Sequence, residues 1–105
     1  MKKVYLSGAI SGIAKEVYEA AFNEAADFFE EKGFAVVNPV TLDHVENATW
    51  EDYMKRDIKA LLDCDYIYML EGWSRSKGAR IELNLASELG ISRIDIYPNR
   101  DIITY

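Results

Sequence analysis

The hydrophobic and polar positions of the chain follow two spacings, which predict four strands alternating with three helices. Short β-prone runs at residues 4–6, 34–37, 66–70 and 93–97 are typical of strands, and the third is nearly all apolar, as in strands covered on both faces. The tail at 102–105 would add a short fifth strand. The order βαβαβαβ predicts one α/β domain, residues 1–105, whose parallel sheet carries helices on both faces through right-handed crossovers.

Three stretches with helical spacing separate these strands. The first ends at Gly33, the second begins with a capping-box pattern at Thr49 and Asp52, and the third ends at Gly90. The buried face of the first helix is predicted to consist of Val17, Ala21, Ala25, Phe28 and Phe29. Each helix should therefore present one apolar face to the sheet.

Two carboxylates interrupt the apolar faces of the second and third helices. Asp57 lies in the inward stripe of the second helix, and Glu82 lies in the inward stripe of the third. The first stripe is Trp50, Tyr53, Met54, Asp57, Ile58 and Leu61, and the second is Ala79, Glu82, Leu85, Ala86 and Leu89. A carboxylate on a buried face is unfavourable unless it is paired, hydrogen-bonded or protonated. Each carboxylate therefore belongs either to a structural network with neighbouring polar groups or to an active site.

Composition narrows the possible classes of protein. Half of the residues are hydrophobic and 29% are charged, so the chain should fold, and its net charge of −6 argues against a surface for nucleic acid polymers. The single cysteine, Cys64, cannot form an internal disulfide. Because the sequence also shows no membrane-spanning stretch and no signal-peptide pattern, we expect a cytoplasmic protein. His44 has no metal-ligand neighbour at a suitable spacing, so no metal or cofactor is expected.

Three loops rich in glycine, serine and asparagine follow the first three strands, at residues 7–12, 38–49 and 71–78. Ligands of parallel sheets bind at this carboxyl edge, where the strand order switches, so these loops predict the rim of a pocket. The first loop suits an anion and suits a plain turn equally well. The three basic residues within 75–80 oppose the helix dipole, which favours a bound anion, whereas Ser76 suits either a helix cap or a phosphate ligand.

These motifs, in their order along the chain, resemble those of one known family. Tyr5-Leu6-Ser7-Gly8-Ala9-Ile10-Ser11-Gly12, then Asp57, then Ser76-x-Gly78-x-x-x-Glu82 is similar to the nucleoside 2-deoxyribosyltransferase superfamily. That superfamily includes deoxynucleoside 5′-monophosphate N-glycosidases and small phage relatives. The resemblance implies a flavodoxin-like parallel sheet of four or five strands, and a homodimer or higher homo-oligomer with sites near subunit contacts.

The resemblance also implies a role for each matching residue. Glu82 would be the nucleophile, Asp57 would assist departure of the base, and Tyr5 would orient the nucleophile. The implied substrate-binding residues are Ser7, Gly8, Ile10, Ser11, Gly12, Ser76 and Gly78. Ser76 stands where the monophosphate hydrolases carry a phosphate-binding serine, so the resemblance favours a 2′-deoxynucleoside 5′-monophosphate as the small-molecule ligand.

Three hypotheses follow. The first is an N-glycosidase or deoxyribosyl transferase that cleaves a 2′-deoxynucleoside through a glycosyl ester on the glutamate. The second is a non-catalytic nucleotide-binding module, such as a phage accessory protein that keeps the fold. The third is a structural domain whose buried acids only connect helices. Release of free base separates the first two, and the effect of replacing Glu82 on thermal stability tests the third.

Overall fold

Four strands alternate with three helices along the chain, and a fifth strand follows, in the computed structural model, which describes residues 1–105. The strands are β1 (Lys3–Ser7), β2 (Ala35–Val37), β3 (Tyr66–Met69), β4 (Ser92–Ile96) and β5 (Ile102–Thr104). The helices are α1 (Lys15–Glu31), α2 (Trp50–Leu61) and α3 (Lys77–Glu88), and short 3-10 helices lie at Pro39–Thr41 and Trp73–Arg75. None of these helices has both the length and the apolar character needed to cross a membrane.

The sheet confirms the predicted α/β architecture. Its strands lie in the order β2-β1-β3-β4-β5, and the first four are parallel. β1 lies between β2 and β3, with Tyr5 beside Val37 of β2 and beside Ile67 of β3. This is the strand order of flavodoxin-like sheets, in which the order reverses next to β1 and leaves a crevice beyond its carboxyl end.

The last strand differs from the predicted parallel arrangement. β5 runs antiparallel to β4, with Asp95 beside Ile103. The connection spans only residues 97–101, which is too short for a crossover helix but sufficient for a turn between antiparallel strands. The turn is closed by a 2.7 Å hydrogen bond from the Tyr97 N–H to the Asp101 carbonyl, and Arg100 adopts a left-handed backbone with φ of 69°.

Side-chain alternation in β1 divides the interior into two cores. Val4 and Leu6 point to the face covered by α1, whereas Tyr5 points to the face covered by α2 and α3. The first core contains Val4, Leu6, Phe22, Ala26, Phe28, Phe29, Leu70 and Ile94, and the second contains Tyr5, Leu61, Cys64, Ile67, Met69, Ala79 and Ala86. Helices therefore cover both faces of the sheet, as predicted.

The predicted buried face of α1 is wrong in its first half. Val17 and Ala21 are exposed, whereas Phe22 and Ala26 are buried with Phe29. Burial of an aromatic side chain removes far more apolar area from water than burial of an alanine, so the aromatic positions set the rotation of the helix.

The helix ends follow the predicted signals. Gly33 adopts a left-handed backbone with φ of 92° just beyond α1, and Gly90 does so beyond α3 with φ of 75°. At the start of α2, the Thr49 hydroxyl accepts from the Asp52 N–H, and the Asp52 carboxylate accepts from the Thr49 N–H. This reciprocal pair is the predicted capping box, and it fixes where the helix that carries Asp57 begins.

Candidate active site

A cavity of about 440 Å³ opens at the carboxyl end of β1. Its walls come from β1, the loop 8–11, α1, the segment 39–44, α2 and the start of α3, so the three predicted rim loops all contribute. Of the ten residues predicted for the site, the eight that line the cavity are Tyr5, Gly8, Ile10, Ser11, Asp57, Ser76, Gly78 and Glu82. The volume lies within the range of small-molecule sites, roughly 300–1,000 Å³.

Glu82 is held in the cavity wall by two hydroxyl donors from β1. The Tyr5 hydroxyl donates to Oε2 at 2.9 Å, and the Ser7 hydroxyl donates to Oε1 at 2.7 Å. Tyr5 and Ser7 are two residues apart on a strand, so both face α3, where Glu82 is only 5% exposed. The carboxyl orientation is therefore fixed by the sheet rather than by its own helix.

Burial sets the protonation states of Glu82 and Tyr5. Desolvation raises the pKa of Glu82 to about 7, although the hydrogen bonds from Ser7 and Tyr5 act in the opposite direction and the charge of Asp57 adds to the rise. Burial also raises the pKa of the Tyr5 phenol well above its ordinary value, with further contributions from the two carboxylates. Tyr5 thus stays a donor, and Glu82 changes charge near neutral pH.

Asp57 lines the same cavity from α2, and it is 8% exposed. Its Oδ1 accepts from the Nε of Arg56 at 2.9 Å and forms an ion pair with Nη2 at 2.8 Å. Burial raises the pKa of Asp57, whereas the Arg56 hydrogen bond and charge oppose that rise. The acid therefore combines a desolvated position with one cationic partner.

Two of the predicted substrate-binding residues lie outside the cavity wall. Ser7 is 1% exposed and is the last residue of β1, so its hydroxyl serves Glu82. Gly12 is exposed in the turn before α1, with a left-handed backbone at φ of 80°. The loop thus reaches the cavity through Gly8, Ile10 and Ser11.

The loop 8–12 leaves its backbone donors free. No N–H group of these five residues donates to another group of the chain, and Ala14, the N-cap residue of α1, provides no side-chain cap. Ser11 and Lys15 line the cavity beside these donors. Free N–H groups, a hydroxyl and an ammonium at a helix start are the features that bind anions.

The start of α3 forms the facing wall. The Ser76 hydroxyl accepts from the Ala79 N–H at 3.1 Å as a helix cap, which leaves its proton available to a ligand. A Cβ at Gly78 would stand 3.0 Å from the Met54 Sδ, so this glycine lets α3 approach α2 closely. Nearby, the Lys77 ammonium lies 4.9 Å from the ring centre of Trp50, another residue of the cavity wall.

Sequence reasoning missed two groups of cavity residues. On α1 they are Lys15, Tyr18, Glu19 and Phe22, whose i, i+3, i+4, i+7 spacing was a usable signal. The other is Arg56, which directly precedes Asp57 in α2. Its contacts with the segment 39–43 depend on the fold and leave no local pattern.

Other candidate groups have simpler environments. His44 lines the cavity without a second imidazole or thiol, and no group of three or more His, Cys, Asp or Glu side chains is arranged to hold a metal ion. Burial raises the pKa of the Cys64 thiol to about 11, so it stays protonated within the second core. Trp73 packs on the second core, away from the cavity wall.

Fold and site together define a flavodoxin-like α/β protein with a cavity lined by two carboxyl groups at the carboxyl edge of its parallel sheet. Residues 2–95 match the model of a protein family described as a domain of unknown function, DUF4406, and the chain belongs to this family. The match runs from β1 into β4 and includes all the cavity-lining residues. A comparison with curated proteins gives no match.

Proposed function

We propose that this protein cleaves the N-glycosidic bond of a 2′-deoxynucleoside, with the 5′-monophosphate as the favoured substrate. The observation that carries the proposal is the pair of buried carboxyl groups in one cavity, with both oxygens of Glu82 oriented by hydroxyl donors from β1. Two carboxyl groups flanking a scissile bond are the machinery of retaining glycosidases. The resemblance of the motifs to deoxyribosyltransferases agrees with this chemistry.

In the proposed reaction Glu82 attacks C1′ of the deoxyribose as the bond from C1′ to the base nitrogen breaks. The bonding electron pair leaves with the base, Asp57 donates a proton to it, and the sugar becomes an ester of Glu82. Water or a second base then attacks C1′ and frees the carboxylate, and the proton that the attacking group loses returns to Asp57. Tyr5 and Ser7 keep the attacking oxygens in place, and each oxygen retains a second lone pair for the sugar.

The preference for a 5′-phosphate rests on the free donors of the first loop. Gly8, Ile10 and Ser11, whose N–H groups have no partner in the chain, line the same cavity as the carboxyl pair, together with Lys15 and Ser76. A 5′-phosphate would accept hydrogen bonds from these donors while the sugar lies against the carboxyl pair.

Base release from a panel of deoxynucleosides and their 5′-monophosphates, followed by chromatography, tests the proposal. We expect release by the wild type and a loss of at least about a thousandfold in Glu82→Gln, because no ester can form. Glu88→Gln, which changes an exposed glutamate of the same helix, should keep full activity. Because Glu82 must be ionised while Asp57 keeps its proton, the kcat/KM of the wild type should follow a bell-shaped pH profile.

A different outcome would favour a nucleotide-binding module. Saturable binding of a monophosphate without any base release, in the wild type as in Glu82→Gln, contradicts the enzymatic proposal while keeping the ligand. Equal base release by wild type and Glu82→Gln contradicts the role of Glu82.

A further inference from the structure

Arg56 makes more directed contacts than any other side chain near the cavity. Its Nε and Nη2 contact Oδ1 of Asp57, its Nη1 donates to the Asp43 carbonyl at 3.2 Å, and its Nη2 donates to the Pro39 carbonyl at 3.2 Å. Its guanidinium carbon also lies 5.1 Å from the ring centre of Tyr53. One side chain therefore joins α2 to the segment that forms another wall of the cavity.

The two oxygens of Asp57 are not equivalent as a result. Both contacts from Arg56 fall on Oδ1, and Oδ2 accepts no hydrogen bond within the chain. The only buried side-chain nitrogen or oxygen without a partner is Nε of Arg93, so Oδ2 of Asp57 remains accessible. Because Asp57 lines the cavity, its free oxygen is the one available to a ligand.

We infer that Arg56 is a positioning residue, which turns Oδ2 of Asp57 towards the cavity and ties the segment 39–43 to α2. A planar guanidinium can meet a carboxylate and two carbonyls at once, whereas an ammonium acts as a point charge. The acid and the adjoining wall are thereby fixed in one arrangement. The kinetic part of this inference rests on the proposed function, and its structural part does not.

The charge of Arg56 also acts on Asp57. Its removal leaves desolvation unopposed, so the Asp57 carboxyl should hold its proton to higher pH. The charge of Asp57 in turn raises the pKa of the Tyr5 phenol and of the Glu82 carboxyl group. The remaining charged or titratable groups in the described walls are Lys15, Tyr18 and Glu19 on α1, His44 in the connecting segment and Tyr53 on α2.

The test compares Arg56→Gln and Arg56→Lys with Lys55→Gln, a matched loss of one positive charge at an exposed neighbour on the same helix. NMR titration of carboxyl carbons in the free protein reports on Asp57 without any turnover. We expect the apparent pKa of Asp57 to rise by at least about one pH unit in Arg56→Gln and to change little in Lys55→Gln. An unchanged titration in Arg56→Gln overturns the inferred control of the acid.

Arg56→Lys keeps the positive charge but loses the planar arrangement of donors. It also provides a test if Arg56→Gln fails to fold. It should keep Asp57 close to its wild-type titration but speed amide hydrogen exchange at residues 40–43, because one ammonium cannot replace the contacts with two carbonyls. Unchanged exchange there contradicts the inferred tie between the wall and α2.

Kinetics provide the third measurement. Arg56→Gln should lower kcat at least about tenfold with a smaller change in KM, and should move the alkaline limb of the pH profile upwards. A uniform loss at every pH, without movement of the limb, indicates a purely structural role. If the wild type releases no base while the titration and exchange results hold, the proposed function fails and the positioning role stands.

Discussion

Glu82 is a carboxyl group whose environment opposes its own charge. Its side chain projects from α3 towards Tyr5 and Ser7. Desolvation raises its pKa by more than the two hydrogen bonds, which favour the ionised form, lower it. A purely structural glutamate would be expected to gain from ionisation through a cationic partner, and no salt bridge to Glu82 is present. The ionised residue therefore costs stability, a balance that is common at active sites.

The pH dependence of stability follows from this pKa. Because the folded-state pKa of Glu82 is raised from 4.5 to about 7, the folded protein binds the proton more tightly than the unfolded chain. The free energy of unfolding should therefore fall as the pH rises from about 4.5 through about 7, by about 3 kcal/mol. Thermal unfolding of the wild type between pH 4.5 and 8 measures this loss.

Glu82→Gln removes that loss because an amide carries no charge at any pH. We expect the variant to be more stable than the wild type at pH 8, by up to about 3 kcal/mol, and similar to it near pH 4.5. Glu88→Gln, at an exposed position, should follow the wild type throughout. A variant that is much less stable than the wild type at pH 8 would show that the carboxylate connects helices, as the structural-domain hypothesis holds.

At the scale of elements, the site depends on where α2 begins. The capping box of Thr49 and Asp52 fixes the first turn, and one face of the same helix presents Trp50, Tyr53, Met54 and Asp57 to the cavity. The hydrogen bond from the Thr49 N–H lowers the pKa of Asp52, so the contribution of the cap is lost as the pH falls through that lowered value. The start of this helix is therefore a feature of the site as well as of the fold.

Thr49→Ala should weaken this start. Loss of the hydroxyl leaves the Asp52 N–H without its partner, and we expect a decrease in stability of about 1 kcal/mol at pH 7. Thr49→Ser keeps the oxygen and should stay within a few tenths of a kcal/mol of the wild type. Denaturant titrations of the three proteins measure the difference, and equal midpoints for alanine and serine would show that the cap does not stabilise α2.

The elements themselves were predictable because each carries a local signal. The alternation of strands and helices, the glycines that end α1 and α3, and the capping box of α2 all follow from short-range spacing. The antiparallel direction of β5 and the rotation of α1 did not, because they depend on turn length and on competing aromatic burial. The 3-10 helices at Pro39–Thr41 and Trp73–Arg75 are too short to leave a periodic pattern.

The candidate site was likewise predictable where a local sequence pattern exists and not where a contact depends on the fold. Stripe positions predicted that Asp57 and Glu82 face inwards, and both line one cavity. Strand alternation would have paired Ser7 with Tyr5, but the adjoining glycine made the serine look like part of the loop. The carbonyl partners of Arg56 come from a segment 13 and 17 residues away in sequence, so only the folded chain brings them together.

At the scale of the whole molecule, the candidate site lies in a crevice of the sheet to which both faces of the fold contribute. Its radius of gyration is 13.0 Å, close to the value of about 13 Å for a compact chain of this length, and the cavity occupies the crevice where the strand order reverses. The homodimer or higher oligomer implied by the family resemblance stays a prediction. A ligand in this crevice contacts both faces of the fold, so its binding should stabilise the entire domain.

Thermal shift measures that coupling. A deoxynucleoside 5′-monophosphate should raise the melting temperature more than the matching deoxynucleoside at equal concentration, with a stabilisation of about 2.7 kcal/mol at a hundred times the Kd. Ser11→Ala should reduce the advantage of the monophosphate, because its hydroxyl lines the cavity beside the free N–H groups. Equal shifts for both ligands, or the same advantage in Ser11→Ala, would contradict the phosphate site.

Capture of the glycosyl ester tests the central claim most directly. A 2′-deoxynucleoside 5′-monophosphate analogue with fluorine at C2′ slows both steps, because the fluorine destabilises positive charge at C1′, and the ester can then accumulate. Peptide mass spectrometry should find the fluorinated sugar phosphate on Glu82 in the wild type and nowhere in Glu82→Gln. An adduct on another residue, or release of base from the analogue with Glu82 unmodified throughout, would contradict the account.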